Sequence, residues 1–318
     1  MIDYNSYGSV VLPNTDADCN TLKTAMKGFG TDEKAIINLV CNRTNLERVA
    51  IKKRYSSLFG KDLIKELKSE LSGHFEDAII ALFDTPFELD CKALNKAMKG
   101  IGTNEDTLIE IITTRGPQQL YQDRLLYQQM FGKDLIKHVE SETSGTFRKI
   151  LVAILQCQRH DESFQINAPE LQMEAQKLYQ AGPAKWGTDE STFVSIFSTR
   201  SAAEIRTIAQ YYQQMCGKSL LDMIESEFSG DAKKALKAIL YACISPSEWF
   251  AIRIRDSIKG FGTKDTQLIR LIISRSEIDI PEIRQAYQLL YKRDMIADIK
   301  SDTSGDYEKL LVTLCSRI

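Results

Sequence analysis

The chain has 318 residues, 43% hydrophobic and 26% charged, with a formal net charge of −2 at pH 7. This is the balance of a globular protein with a large buried core. It excludes a broad positive field able to hold nucleic acid or an anionic membrane unaided. Seven cysteines are scattered without a Cys-x-x-Cys pair, and the first 20 residues show no basic stretch followed by an apolar run. Both features point to reduced thiols in the cytosol. No run approaches the roughly 18 apolar residues of a spanning helix, and the Met-Ile-Asp start excludes myristoylation at a second-position glycine.

Residues 1–15 read as a short polar and aromatic tail with Tyr4, Ser6, Tyr7 and Ser9. A repeat begins at residue 16. Leu22, Ala25 and Met26 recur at helical spacing and lead into a glycine turn, Met26-Lys27-Gly28-Phe29-Gly30-Thr31. The turn ends the helix, because glycine accepts the left-handed backbone found there. Thr31 is expected to cap the next helix, with Asp32 and Glu33 at its positive end. That helix carries Ile36, Ile37, Leu39 and Val40 and ends at Arg43. Thr44 with Glu47 makes a capping box for a third helix, which ends at Gly60. A fourth helix starts near Asp62 and ends at Glu70, and Leu71-Ser72-Gly73 opens a fifth over Phe75–Leu82.

The same order returns three times. The turn recurs as Met98-Lys99-Gly100-Ile101-Gly102-Thr103, as the variant Gly182-Pro183-Ala184-Lys185-Trp186-Gly187-Thr188, and as Ile258-Lys259-Gly260-Phe261-Gly262-Thr263. Forty residues after the last glycine of each turn stands an acid: Glu70, Glu142, Glu227 and Asp302. Caps equivalent to Thr44/Glu47 fall at Gly116/Gln119, Ser201/Glu204 and Ser276/Asp279, and Arg43, Arg115, Arg200 and Arg275 precede them. The third helix ends at Gly132 and Gly217, but at Lys292 in the last unit, where the missing glycine costs local stability. The pattern predicts an all-α protein of five short helices per unit. The units are a tail over 1–15, repeats over 16–86 and 87–157, a polar linker over 158–170, and repeats over 171–245 and 246–318.

Glycine lets main-chain carbonyls converge without a side chain between them. Carbonyl oxygens with one carboxylate suit calcium, which takes six to eight oxygens at about 2.3–2.6 Å. A single carboxylate leaves positive charge, so affinity is weak until an anion such as a phosphate headgroup adds its oxygens. The competing reading is that the glycines are helix C-caps in a solenoid and the acids cap the next helix. Four units in one register weigh against it. A dinucleotide fingerprint needs a strand and a third glycine, and a P-loop needs Gly-Lys-Ser/Thr; neither is present. Phe29, Ile101, Trp186 and Phe261 stand between the glycines, as an apolar set suited to a membrane interface or as residues packed on their own helices. Lys27, Lys99, Lys185 and Lys259 lie beside them, available to lipid phosphate or simply solvated.

These residues make the chain resemble the annexins over nearly its whole length. Met-Lys-Gly-x-Gly-Thr-Asp/Asn-Glu in two units carries the resemblance, with Trp186-Gly187-Thr188-Asp189-Glu190, Lys68-Ser69-Glu70-Leu71-Ser72-Gly73 and Asp302-Thr303-Ser304-Gly305-Asp306-Tyr307. The resemblance implies a curved all-α disc of four five-helix repeats that binds acidic phospholipid reversibly through calcium on its convex face. The implied ligands are the carbonyls of Met26, Gly28 and Gly30 with Glu70, and of Met98, Gly100 and Gly102 with Glu142. The third set is Gly182, Lys185 and Gly187 with Glu227, and the fourth is Ile258, Gly260 and Gly262 with Asp302. It also implies a polar channel matched by Asp90, Glu110, Arg115 and Arg270, although Ala93 stands where some members carry an acid. Buried ion pairs holding the halves together are the simpler account of those charges.

The expected function is calcium-dependent, peripheral binding to phosphatidylserine-like membranes from the cytoplasm, with a role in membrane organisation or trafficking. A monomer in solution, able to assemble on membranes and without a nucleic-acid partner, is expected. A helical-repeat scaffold for protein partners is the alternative, with calcium-channel activity a minor one. Enzyme activity is not expected: His74, His138 and His160 form no nucleophile or zinc pattern, and no Gly-x-Ser-x-Gly elbow occurs.

Overall fold

The computed structural model describes residues 15–28, 30–163, 165–184, 187–260 and 262–317. Among them every regular element is a helix. The first repeat holds α1 (Thr15–Ala25), α2 (Glu33–Cys41), α3 (Asn45–Phe59), α4 (Leu63–Glu70) and α5 (Gly73–Leu82). The second holds α6 (Pro86–Ala97), α7 (Glu105–Thr114), α8 (Pro117–Phe131), α9 (Leu135–Glu142) and α10 (Gly145–Leu155). The third holds α11 (Ala168–Ala181), α12 (Glu190–Thr199), α13 (Ala202–Cys216), α14 (Leu220–Glu227) and α15 (Gly230–Ile244). The fourth holds α16 (Pro246–Ile258), α17 (Asp265–Arg275), α18 (Ile280–Tyr291), α19 (Met295–Asp302) and α20 (Gly305–Cys315).

The helix boundaries follow from local chemistry. Thr44 and Ser201 form complete capping boxes with Glu47 and Glu204. The cap expected at Thr31 falls one residue later, and the second and third repeats do the same. The residue after the loop threonine caps the second helix: Asp32 accepts from the Ala35 N–H, Asn104 from Thr107 and Asp189 from Ser191. The threonine hydroxyl is therefore available for another partner. Ser276 also departs from expectation. It closes α17, and Asp279 makes no side-chain cap for α18 because Arg275 holds its carboxylate at 2.8 and 2.6 Å.

The third helices end in left-handed residues, Gly60, Gly132, Gly217 and Lys292, the last at φ 56°. A Cβ is strained there. Lys292→Gly is expected to stabilise the protein by about 0.5–1 kcal/mol in urea unfolding; a loss of stability would show that the lysine's contacts outweigh its backbone strain.

The four arginines before the third helices tie each repeat's first helix to the end of its second. Arg43 grips Asp18 with two bonds of 2.7 and 2.8 Å, Arg115 grips Asp90 with two of 2.8 Å, and Arg200 reaches Glu174 and Glu170. In the fourth repeat the first helix offers Phe250 instead, and Arg275 lies 4.3 Å over its ring. The Asp90–Arg115 pair thus works inside repeat II, not between halves of the chain.

The described residues form two compact units. One takes the residues up to Leu89 with those from Phe250 onward; the other is Asp90–Trp249. Within the first, α2 packs on α20, α17 on α5, and α5 on α20. Within the second, α7 packs on α15, α12 on α10, and α10 on α15. Each unit thus joins two repeats reciprocally, the second helix of one lying on the fifth of the other. Fully buried tyrosines recur at the centre of the repeats: Tyr55, Tyr127, Tyr212 and Tyr287.

Asp123 is buried in α8, and neither carboxylate oxygen has a hydrogen-bond partner among the described residues. Burial, reinforced by the charge of Asp90, pushes its carboxyl well above the carboxylate range, while Arg115 opposes the shift. The unfolded chain loses this proton near pH 4 and the folded chain keeps it to much higher pH. Stability from this group is therefore full at low pH and falls as pH rises, by at most about 1.4 kcal/mol per unit. Asp123→Asn is expected to flatten that slope between pH 5 and 8 in urea titrations; an unchanged slope would mean that Asp123 is ionised in the fold.

Candidate functional site

Each repeat brings its glycine loop to the end of its own fourth helix. After α1, the Met26 N–H still bonds Leu22 O at 3.1 Å, and the chain then departs through Gly28 at φ 110° and Gly30 at φ 90°. The Asp32 N–H returns to Ala25 O at 2.9 Å and closes the loop. The same closure joins Asn104 to Ala97 at 2.9 Å, Asp189 to Ala181 at 2.7 Å and Lys264 to Ser257 at 2.8 Å. A Cβ at Gly28 or Gly30 would meet nothing within 4 Å, so backbone conformation, not space, demands glycine there. In the third loop Gly187 follows the same logic at φ 83°, and Gly182 differs. Gly182 has φ −116°, but an added Cβ would stand 3.4 Å from Glu227 Cγ.

The acids Glu70, Glu142, Glu227 and Asp302 are the last residues of α4, α9, α14 and α19. A carboxylate is electrostatically misplaced at a helix C-terminus, where the exposed carbonyls carry partial negative charge. The threonine of the facing loop holds each one. Thr31 Oγ1 donates to Glu70 Oε2 at 3.1 Å, Thr103 to Glu142 Oε2 at 3.2 Å, Thr188 to Glu227 Oε2 at 2.9 Å and Thr263 to Asp302 Oδ2 at 2.5 Å. The spacing of 39 residues from threonine to acid is the same in all four repeats. That regularity was present in the sequence and marks the threonines as part of the site.

The resulting surroundings are rich in oxygen. Among the described residues, no N–H is hydrogen-bonded to the carbonyl oxygens of Met26, Gly28, Gly30, Met98, Gly100, Gly102, Gly182, Gly187, Ile258, Gly260 or Gly262. No three His, Cys, Asp or Glu side chains converge as a metal site among the described residues. A cation at these loops would therefore draw mainly on the main chain. Glu142 and Glu227 line one cavity of about 360 Å³ with Glu105, Glu190 and Asp231. Glu70 lines a second with Glu33, His74 and Asp306.

Ile101 stands fully exposed at its loop tip, and Lys27, Lys99 and Lys259 are exposed beside their glycines. Phe29, Lys185, Trp186 and Phe261 lie outside the described residues, as do residues 1–14 of the tail.

Four five-helix repeats, each pairing a glycine loop with a helix-terminal acid, define a class of repeat protein with one oxygen-rich loop site per unit. Residues 16–82, 89–154, 173–239 and 250–314 match the family profile described as Annexin. The chain belongs to the annexin family. It is 45% identical to human annexin A7 over 95% of its own length, and spans 62% of that relative's length. Its structure superposes on annexin III with a TM-score of 0.93, at 39% identity over 97% of this chain and 96% of that one. It superposes on calcium-bound annexin (Sm)1 with a TM-score of 0.87, at 34% identity over 96% and 90% of the two chains.

Proposed function

We propose that this chain binds acidic phospholipid surfaces reversibly, through calcium held between each glycine loop and its acid. One observation carries the reading: in all four repeats a loop hydroxyl meets the acid that ends the fourth helix. The calcium-bound state of a solved relative supports the choice of ion. The proposed ligands are Met26, Gly28, Gly30 and Glu70; Met98, Gly100, Gly102 and Glu142; Gly182, Lys185, Gly187 and Glu227; and Ile258, Gly260, Gly262 and Asp302. Three carbonyls and one bidentate carboxylate leave about one to three coordination positions for water or lipid phosphate. Bound calcium supplies the positive charge that joins carboxylate to phosphate.

The chain's own residues do the rest. The glycines present carbonyls, the acids fix the cation at a helix end, and Lys27, Lys99 and Lys259 face the same headgroups. Ile101 enters the interface, with Phe29, Trp186 and Phe261 as further insertion candidates. The protein works from the cytoplasm and reaches membranes when calcium rises. The test is sedimentation with phosphatidylserine/phosphatidylcholine vesicles across a calcium titration, followed by chelator. Calcium-dependent pelleting that chelator reverses is the expected result; no pelleting at any calcium concentration would reject the reading in favour of a helical scaffold. In the same assay Ile101→Ser is expected to lower vesicle affinity about threefold; unchanged affinity would show that the tip stays out of the interface.

A further inference from the structure

We propose that the loop threonines Thr31, Thr103, Thr188 and Thr263 are positioning residues that hold each carboxylate in its ion-binding rotamer before the ion arrives. The inference rests on the calcium reading above and concerns how the same sites are prepared. The residue that follows the threonine takes the capping role in the first three repeats, which leaves Thr31, Thr103 and Thr188 free for the acid. The fourth repeat is the sharper case. Its cap position is Lys264, which makes no side-chain cap, yet the Thr263 hydroxyl still goes to Asp302 at 2.5 Å.

The physical need is clear. A carboxylate at a helix C-terminus is repelled by the helix's own carbonyls and turns toward solvent unless something holds it. Freezing a glutamate side chain costs rotamer entropy, and a ligand already held in place removes that cost from binding. One hydroxyl proton occupies one of about four lone-pair positions on a carboxylate, so the others remain for a cation.

The latch is graded. In repeats II, III and IV the hydroxyl also lies 3.2, 3.5 and 2.9 Å from the main-chain oxygen of the same acid. In repeat I, among the described residues, the single hydroxyl proton goes to the carboxylate alone, but Glu70 is exposed where the other three acids are half-buried, so packing restrains it least. The first site is accordingly the least prepared.

The test compares Thr103→Val/Thr188→Val with Thr103→Ser/Thr188→Ser in the full chain. Calcium chloride alone is titrated by calorimetry, vesicle sedimentation is run in parallel, and calcium-free melting is recorded. The valine pair is expected to raise half-saturating calcium at the second and third sites about tenfold. The serine pair restores it to within about twofold, and Thr31→Val shifts the first site only about twofold. Calcium-free melting stays unchanged; should the double variant melt early, Thr188→Val alone reads the same effect at one site. Calcium binding in the valine pair equal to or tighter than wild type would overturn the latch, as would a serine pair as weak as the valine pair. Calcium uptake without vesicle binding would reject the membrane reading alone, whereas a wild-type chain that takes up no calcium would reject both.

Discussion

Converting Glu142 and Glu227 together to glutamine is expected to raise the calcium needed for half-maximal vesicle binding at least about tenfold, because a neutral amide is a poor ligand for a hard divalent cation. The same variant is expected to melt slightly higher than wild type in calcium-free buffer. Both acids end helices, where carboxylates destabilise by about 0.3–1 kcal/mol each. They also share a cavity with Glu105, Glu190 and Asp231. Removing two negative charges relieves that repulsion. The opposite signs of the two effects separate a binding role from a structural one. A structural acid would lower the melting temperature and leave the calcium requirement alone, and that outcome would refute the assignment.

Arg115→Leu is expected to destabilise the chain by about 3–5 kcal/mol, since it leaves Asp90 buried without its guanidinium partner. The side chains of Arg115 and Asp90 are 6% and 1% exposed. Gln119 also donates to Asp90 at 2.8 Å, but an amide does not replace the lost charge. Arg43→Leu breaks the same pairing in repeat I, where the arginine is 28% exposed, and should cost about 1 kcal/mol. An apolar replacement of both Asp90 and Arg115 should recover most of the loss. Urea unfolding of the variants decides the matter; equal costs for Arg115→Leu and Arg43→Leu would show that burial does not set the strength of the pair.

The register of the repeat was legible because it rests on local chemistry. Gly60, Gly132 and Gly217 end third helices as the spacing required, and Thr44 and Ser201 carry their boxes. Thr31 reads as a cap because Thr and Asp both cap well, and only the fold shows that Asp32 takes the role. The failure at Ser276 and Asp279 has a long-range cause. Phe250 replaces the acid that meets this arginine in the other repeats, so Arg275 takes Asp279 from its cap. The pairing of repeat I with IV and of II with III left no mark in the sequence. The longest interval in the repeat, the polar stretch 158–170, falls inside the Asp90–Trp249 unit, so spacing does not reveal which repeats pack together and only packed side chains choose.

The reciprocal packing of second and fifth helices has a consequence for the order in which the chain folds as it is made. Repeats II and III are contiguous and complete each other by Trp249. Repeat I is made first, yet α2 and α5 rest on α20 and α17, whose residues begin only at Asp265. The apolar faces of the first repeat therefore wait, uncovered, through the synthesis of the entire second unit. That interval is when a nascent chain is open to chaperones and to aggregation. A chain stopped after repeat III would carry one finished unit and one repeat permanently without its partner.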